Sequence, residues 1–421
     1  MQNINLMEYI KGNFNVDPSI FDSIRYELDK HLCYYGQQFR YPREKTCKTF
    51  KNAIDNNAFD IVGKMFYIYN IFSLLNKIKF DKKILLSNAY FSTNIELKKL
   101  GFHVYRPPWS HFGIYTRSID DIKISHQCEI IKAAFGTGDF INIINEKFLA
   151  KVRSFMGSLK DYFLRRQIAG LIVPNDVSFF ENLSIKIFKE IGRPSFIFLH
   201  GLPGRYNRID ENRSDFLIVW GEKIKQHYIE AGISEEKIFV AGHPDYKELQ
   251  KRDLRCSLEA PLVLTKSMSA SDRGNQILYL YSIQSVLSKF GVKQVRLRTH
   301  PSENSRWYLK FIDKDFFQID SDSLQSSLVK ATVVIGPTST VFLESIYYGV
   351  NYICYEPSVN NIDLMNSILV PPFDGSDNRL PVAKTEDELN LIIKDKAVVN
   401  HEIFNDYIKT PFDLNFISPL I

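Results

Sequence analysis

The chain has 421 residues, 45% of them hydrophobic and 24% charged, with 53 Lys and Arg against 48 Asp and Glu for a formal charge of +5. That length predicts two to three domains with sizeable cores, and the composition is that of an ordinary globular protein, not a disordered one. The basic residues are scattered among acids, which excludes a nucleic-acid footprint, and no run approaches the roughly 18 apolar residues that a membrane helix needs.

Five cysteines, Cys33, Cys47, Cys128, Cys256 and Cys354, are widely separated. They have neither zinc-ligand spacing nor a disulfide framework, so a reducing cytoplasm is expected. The amino terminus shows no basic n-region and no long apolar core, so no signal peptide is expected. Any work at a membrane would be peripheral to its inner face, with which a modest basic excess is compatible.

In chain order, residues 1–80 read as a helical extension. Asp17-Pro18-Ser19 opens a helix with Ile20, Ile24 and Leu28 on one face, and Phe59 to Ile78 forms a second apolar run. Regular α/β alternation begins at Lys83: a strand at Ile84–Ser87, a helix at Thr93–Leu100 and a strand at Gly101–Tyr105. The loop Arg106 to His111 follows, with Trp109 and His111 either lining a site or simply packing. Gly136-Thr137-Gly138-Asp139 is a glycine loop without dinucleotide or P-loop spacing. Asp139 at its end is a candidate base or a helix cap. Leu171 to Asp176 is a strand ending in a polar turn that places Asp176 at a strand end, with a helix from Ser178 to Ile191. The buried run from Pro194 then enters a Gly/Pro-rich loop, His200-Gly201-Leu202-Pro203-Gly204-Arg205. His200 there is a candidate base or phosphate donor, and Arg205 a candidate anion partner. Arg208 to Arg213 reads as a mobile, solvated loop. A strand, a helix from Lys223 to Ala231 closed by Gly232, and a strand from Lys237 to Ala241 lead to Gly242-His243-Pro244-Asp245-Tyr246.

A charged linker is expected at about Asp245 to Ala260, dividing the chain into 1–250 and 251–421. The second part opens with Pro261–Thr265, whose end carries Lys266 and Ser267, and a helix from Gly274 to Phe290. Two stretches then organise it. Arg296-Leu297-Arg298-Thr299-His300-Pro301-Ser302-Glu303 and Val333-Val334-Ile335-Gly336-Pro337-Thr338-Ser339-Thr340-Val341-Phe342-Leu343-Glu344 are each an apolar or β-branched run ending in small, hydrogen-bonding residues. The second passes directly into a helix. Ligands of open parallel sheets bind outside the carboxyl ends of the strands, and hydroxyls with free N–H groups at a helix start suit a phosphate. His300 would add a donor, or a positive charge once a phosphate raises its pKa. The two loops are expected on adjacent strands. Asp320-Ser321-Asp322 is assigned to a loop, so no metal site is expected. Tyr352–Glu356 is the last clear strand and Glu386–Asp395 a helix; by the resemblance given below, the end from His401 is expected to cross back to the first domain.

The His-Pro loop, followed one βαβ unit later by Ser-Thr at a helix start, resembles a group of bacterial GT-B glycosyltransferases and related transferases. The group includes bacterial sialyltransferases, capsule Kdo transferases and CDP-glycerol glycerophosphotransferases. The likeness covers the chain from Phe196 onward and includes the stretch from Trp220-Gly221 to Gly242-His243-Pro244-Xaa-Tyr246. It implies an α/β chain of the GT-B type, two Rossmann-like domains facing across a cleft with the amino-terminal helical extension. By the same resemblance His300, with Pro301 and Arg298, would meet the donor phosphate. Ser339, Thr340 and Thr338 would cap the nucleotide, Glu344 would meet ribose hydroxyls, and Ser267 and Lys266 would approach the phosphates. The resembling sialyltransferases place an acidic-acidic-Gly motif in the first domain as base; here there is one acid, Asp139, after the glycines. Asp139, Asp176 and His200 therefore stand as alternative bases.

The expected function is metal-independent transfer of a CMP-linked nonulosonate or Kdo to a glycan or lipid-linked oligosaccharide of lipopolysaccharide, O-antigen or capsule, with no cofactor besides the donor nucleotide sugar and no nucleic acid partner. A UDP- or GDP-sugar transferase, a CDP-polyol phosphotransferase and a UDP-sugar 2-epimerase-like isomerase remain alternatives, since fold does not dictate function.

Overall fold

The computed structural model describes residues 18–33, 83–110, 119–136, 145–249, 253–268, 272–360, 362–365 and 367–421. Helix α1 (Pro18–Cys33) precedes a first sheet of β1 (Ile84–Ser87), β2 (His103–Tyr105), β3 (Ile168–Val173), β4 (Ser195–Phe198), β5 (Phe216–Val219) and β6 (Ile238–Val240). All five pairings are parallel, in the order β2-β1-β3-β4-β5-β6. Parallel neighbours need crossovers, and helices α2 (Phe91–Lys99), α3 (Ile119–Gly136), α4 (Glu146–Arg165), α5 (Phe179–Glu190) and α6 (Glu222–Glu230) lie between the strands. Helices on both faces are why β3 and β4 are near-continuous apolar runs and not alternating ones.

The second sheet comprises β7 (Pro261–Leu264), β8 (Val295–Arg298), β9 (Phe317–Ile319), β10 (Val333–Gly336), β11 (Asn351–Tyr355) and β14 (Val382–Ala383); β12 (Ser358–Val359) and β13 (Ile362–Asp363) form a separate antiparallel pair. Its helices are α7 (Arg273–Lys289), α8 (Ser305–Tyr308), α9 (Leu324–Lys330), α10 (Val341–Tyr347) and α11 (Glu386–Lys394), with α12 (Ile403–Tyr407) after them. The order β14-β11-β10-β7-β8-β9, all parallel, is the Rossmann order, with its switch point between β7 and β10. The first sheet has the flavodoxin-like order with its switch point between β1 and β3. Two doubly wound Rossmann-like sheets in one chain are the GT-B arrangement.

One expectation is corrected. The strands that carry the His-Pro and Ser-Thr loops, β8 and β10, are not adjacent, because β7 pairs with both. The chain starts the second sheet in its middle and winds outward in both directions, so the loop with Lys266 and Ser267 stands between the other two.

The carboxyl-terminal segment packs on the first sheet. The Lys409 amide donates to Trp220 O at 2.7 Å and the Asp413 amide to Ala241 O at 2.9 Å, and Phe416 stacks on Phe239 at 4.6 Å. Gly242 has φ +86°, and a Cβ there would stand 2.2 Å from Lys409 O, so only glycine fits. At Gly221 a Cβ would lie 2.3 Å from the Tyr407 carbonyl carbon. Helix α1 docks on α5: Ser23 donates to Asn182 Oδ1 at 2.8 Å and Asp22 pairs with Lys186 at 3.2 Å, above buried Ile20, Phe21 and Ile24. The run from Phe59 to Ile78 lies outside the described residues. Among those described, no helix is long and apolar enough to cross a membrane, and Cys128, Cys256 and Cys354 are free thiols.

Where β6 ends, His243 is 6% exposed, with Tyr90 at 4.8 Å and Trp220 and Tyr246 each at 4.7 Å between ring centres. Its Nδ1 accepts from the Asp245 amide at 3.3 Å. Burial among these rings pulls its pKa down to about 4, against a nearby Asp245 charge. The unfolded chain therefore takes up a proton below about pH 6.5 that the native state refuses until about pH 4. Stability is lost as pH falls through that window, on the order of 3 kcal/mol from this residue. His243→Phe keeps the ring packing and removes the titration. Urea unfolding at pH 7.5 and pH 4.5 should show a smaller acid loss in the variant than in wild type; equal losses would contradict the buried neutral imidazole.

Candidate functional site

Three loops meet at the carboxyl end of the second sheet, after β7, β8 and β10. Thr265, at the end of β7, ties two of them. Its hydroxyl accepts from the His300 amide at 3.0 Å and donates to Glu303 Oε2 at 2.8 Å. Pro301 fixes φ and offers no amide, and the turn closes with Glu303 N donating to His300 O at 2.9 Å. Within it, His300 Nδ1 accepts from the Ser302 amide at 3.2 Å and lies 2.8 Å from the Ser302 hydroxyl. That hydroxyl bonds to Ser267 Oγ at 3.0 Å. A backbone N–H can only donate, so Nδ1 is unprotonated and the neutral ring carries its proton on Nε2. The His300 side chain is exposed at its edge, yet desolvation by the loops lowers its pKa from the ordinary imidazole value. The same burial raises the Glu303 carboxyl.

Behind these loops lies a buried acid that sequence reading passed over. Glu356, at the end of β11 and 2% exposed, accepts from the Thr338 amide at 2.6 Å and from Ser367 Oγ at 2.7 Å. Ser367 Oγ in turn accepts from Lys266 Nζ, whose pKa burial lowers while Glu356 and Asp363 oppose the shift. The signal was available: Tyr355-Glu356-Pro357 is a strand end of the same kind as the His-Pro and Ser-Thr loops. Nothing in the sequence pointed to Ser367, because it reaches Glu356 from the segment after β13.

At the head of α10 two neighbouring hydroxyls do different things. Ser339 Oγ accepts from the Val341 amide at 3.2 Å, whereas Thr340 makes no cap and accepts from the Leu202 amide of the first domain at 3.1 Å. Glu344, one turn on, has its pKa raised by burial, with the Arg298 charge and a Tyr246 hydrogen bond pulling it down. Arg298 spends its guanidinium on the loop before α9, donating to Asp322 O at 2.7 Å and lying 3.7 Å from Asp320 Oδ1. Asp320 also pairs with Arg296 at 3.1 Å, so Asp320-Ser321-Asp322 is a loop braced by two arginines. Among the described residues no three His, Cys, Asp or Glu side chains gather to hold a metal.

Across the domain boundary, His200 Nδ1 lies 3.0 Å from Pro174 O. A carbonyl can only accept, so Nδ1 carries the proton and Nε2 keeps a free lone pair. The His200 carbonyl accepts from Tyr90 Oη at 2.6 Å. Asp176 is fully buried and accepts from the amides of Glu211 at 3.0 Å and Arg213 at 3.1 Å, with the Arg213 guanidinium at 3.4 Å. Desolvation raises its pKa. The expectation of a solvated loop at Arg208 to Arg213 holds for Arg208 and Ile209, which are exposed, and is corrected for Glu211 to Arg213, whose backbone wraps a buried carboxylate. Arg205 pairs with Asp210 at 2.5 Å. Trp109 is likewise core: 4% exposed, it donates to Glu181 at 3.0 Å and stacks on Phe180. Asp139 and His111 lie outside the described residues.

Solved structures of low sequence identity resemble this one in part, among them the following. One is a putative UDP-N-acetylglucosamine 2-epimerase from Listeria monocytogenes, at TM-score 0.46 and 12% identity over 81% of this chain and 94% of that one. Another is the UDP-GlcNAc 2-epimerase of Methanocaldococcus jannaschii in complex with UDP-GlcNAc and UDP, at 0.45 and 13%, covering 77% and 97%. A third is the lipopolysaccharide outer core galactosyltransferase WaaB, at 0.43 and 13%, covering 80% and 96%. No family model matches the chain, and no curated protein matches it in sequence. At these identities and TM-scores the likeness carries nothing about activity or substrate.

Glu211 is the most perturbed acid of the first-domain loop. Its φ is +58°, and burial, then the charges of Asp176 and Asp210, push its pKa up to about 7. The unfolded carboxyl ionises near 4.3, so the native state holds the extra proton between the two values and stability falls as pH rises through that window. Glu211→Gln removes this penalty. Relative to wild type it should gain on the order of 2 kcal/mol between pH 5 and pH 8 in chemical denaturation; no relative gain would show that the carboxyl is ionised without cost.

Proposed function

We propose that this protein is a glycosyltransferase that moves a sugar from a nucleotide donor held by the second domain to a glycan hydroxyl presented by the first. The observation that carries the reading is the opposite tautomers of two histidines. Hydrogen bonds leave His200 with a free Nε2 lone pair and His300 with a free Nε2–H. In the proposed step the acceptor hydroxyl gives its proton to His200 Nε2 as its oxygen attacks the anomeric carbon. The bond from that carbon to the phosphate oxygen breaks, and His300 Nε2–H donates to the departing phosphate. Acceptor activation and leaving-group stabilisation then fall on separate domains, which suits a reaction that needs water excluded between them.

A CMP-linked donor is favoured by charge. The stretches 265–268, 298–304 and 336–341 contain two basic side chains, Lys266 and Arg298, and both are already engaged with protein partners. One phosphate, met by hydroxyls and a neutral imidazole, fits that supply better than a diphosphate. The acceptor would be a glycan or lipid-linked oligosaccharide of surface-polysaccharide synthesis, and the enzyme peripheral to the cytoplasmic face of the membrane. His300, Ser302 and Ser267 are the residues proposed to meet the phosphate, with Glu344 toward the ribose. Asp176 is set aside as base because both its oxygens hold backbone amides.

The test is thermal stabilisation by CMP, CDP, UDP and GDP. A ligand at a hundred times its Kd adds about 2.7 kcal/mol, a shift of a few degrees. CMP should stabilise the wild type selectively and His300→Ala much less, while His200→Ala should keep the CMP shift and lose kcat. Stabilisation by UDP together with conversion of UDP-GlcNAc in the absence of any acceptor would replace this reading with an epimerase. No response to any nucleotide would remove it.

A further inference from the structure

We infer that Thr340 is a positioning residue, whose hydroxyl holds the His200 loop of the first domain in register with the donor loops of the second. This rests on the reading of His200 as the proposed base. Thr340 already has helical dihedrals, φ −56° and ψ −24°, and makes no side-chain cap. The capping task at this helix start belongs to Ser339, whose Oγ accepts from the Val341 amide. The Thr340 hydroxyl is therefore free of its own helix, and it accepts from the Leu202 amide, two residues after His200, at 3.1 Å. Gly201 makes the approach feasible, since a Cβ there would lie 3.3 Å from Thr340 Oγ1, tighter than side chains ordinarily pack. The His200 loop is thus held from two sides. The first domain supplies Pro174 O to the imidazole and the Tyr90 hydroxyl to the His200 carbonyl. The second domain supplies Thr340. The imidazole Nε2 is aimed by the first set; the distance of the whole loop from His300 is set by the second.

A β-branched residue has few χ1 states, so Thr presents the hydroxyl at low entropic cost and Val reproduces its shape without the acceptor. The experiment compares wild type, Thr340→Val and Thr340→Ser by two independent readouts. The first is amide hydrogen exchange at Leu202, which reports the bond whatever the enzyme binds. Protection should be present in wild type, lost in Thr340→Val and restored in Thr340→Ser. The second is release of CMP from CMP-N-acetylneuraminate, with CMP affinity measured separately. Thr340→Val should bind CMP as wild type does while kcat falls up to about a hundredfold, as a loop misplaced by an ångström would allow, and Thr340→Ser should recover most of it.

An unprotected Leu202 amide in wild type would overturn the bond itself. Lost CMP affinity with unchanged kcat at saturation would make Thr340 a donor contact and overturn the positioning role. Wild type that binds no nucleotide would sink the functional reading and the catalytic part of this inference together, while the exchange data still decide whether the interdomain bond exists.

Discussion

The structure depends on the return of the carboxyl-terminal segment to the first sheet. Backbone of residues 406–413 lies against the ends of β5 and β6 closely enough that Gly221 and Gly242 have no room for a Cβ. Backbone hydrogen bonds at Trp220 and Ala241 fix the register. Because α12 also packs beside α10 through Phe342 and Tyr407, the last residues of the chain brace the first sheet and the helix that carries the Ser-Thr loop. Tyr246 adds to this junction by meeting His243 on one side and Tyr347 on the other. The relation between the two sheets is thus a matter of packed rings and close backbone.

On that frame the chemistry is divided by sheet. Each doubly wound sheet delivers loops to its carboxyl edge, and each supplies one histidine whose tautomer is imposed by backbone: a carbonyl for His200, an amide for His300. Backbone partners cannot exchange donor and acceptor roles, so each assignment is fixed by the geometry of its loop. The carboxylates divide differently. Asp176 and Glu356 are structural anchors, each saturated with hydrogen bonds that hold a loop in place. Glu303 and Glu344 sit nearer the loop edges, raised by partial burial.

The contact between Leu202 and Thr340 joins these halves where the proposed reaction would occur. That hydrogen bond ties the loop bearing His200, the proposed proton acceptor, to the helix that carries the Ser-Thr loop.

Strand ends were legible in the sequence because a buried parallel strand is a short apolar run and its loop begins where polarity returns. That logic found His200, His300, Lys266 and the Ser-Thr pair, and it placed Asp176 at a strand end. It could not tell an anchor from a reactive group: whether an acid at a strand end faces solvent or backbone amides is decided by a loop far along the chain, as Arg213 and Glu211 decide it for Asp176. The charged run from Arg208 to Arg213 looked solvated for the same reason. Strand order was equally hidden. Local pattern marks where strands are, but the pairing of β7 with both β8 and β10 follows from winding about a central strand. The sequence by itself determined the α/β alternation and the loops that bear the candidate chemistry, both consequences of short-range hydrophobic period, while the two-domain architecture was implied by the family resemblance. Tertiary structure alone decided which hydroxyl faces which domain, because that depends on single atoms brought together from more than a hundred residues apart, as with Leu202 and Thr340; the free nitrogen of each histidine is set by nearer partners, Pro174 for His200 and Ser302 for His300, whose geometry no residue pattern displays.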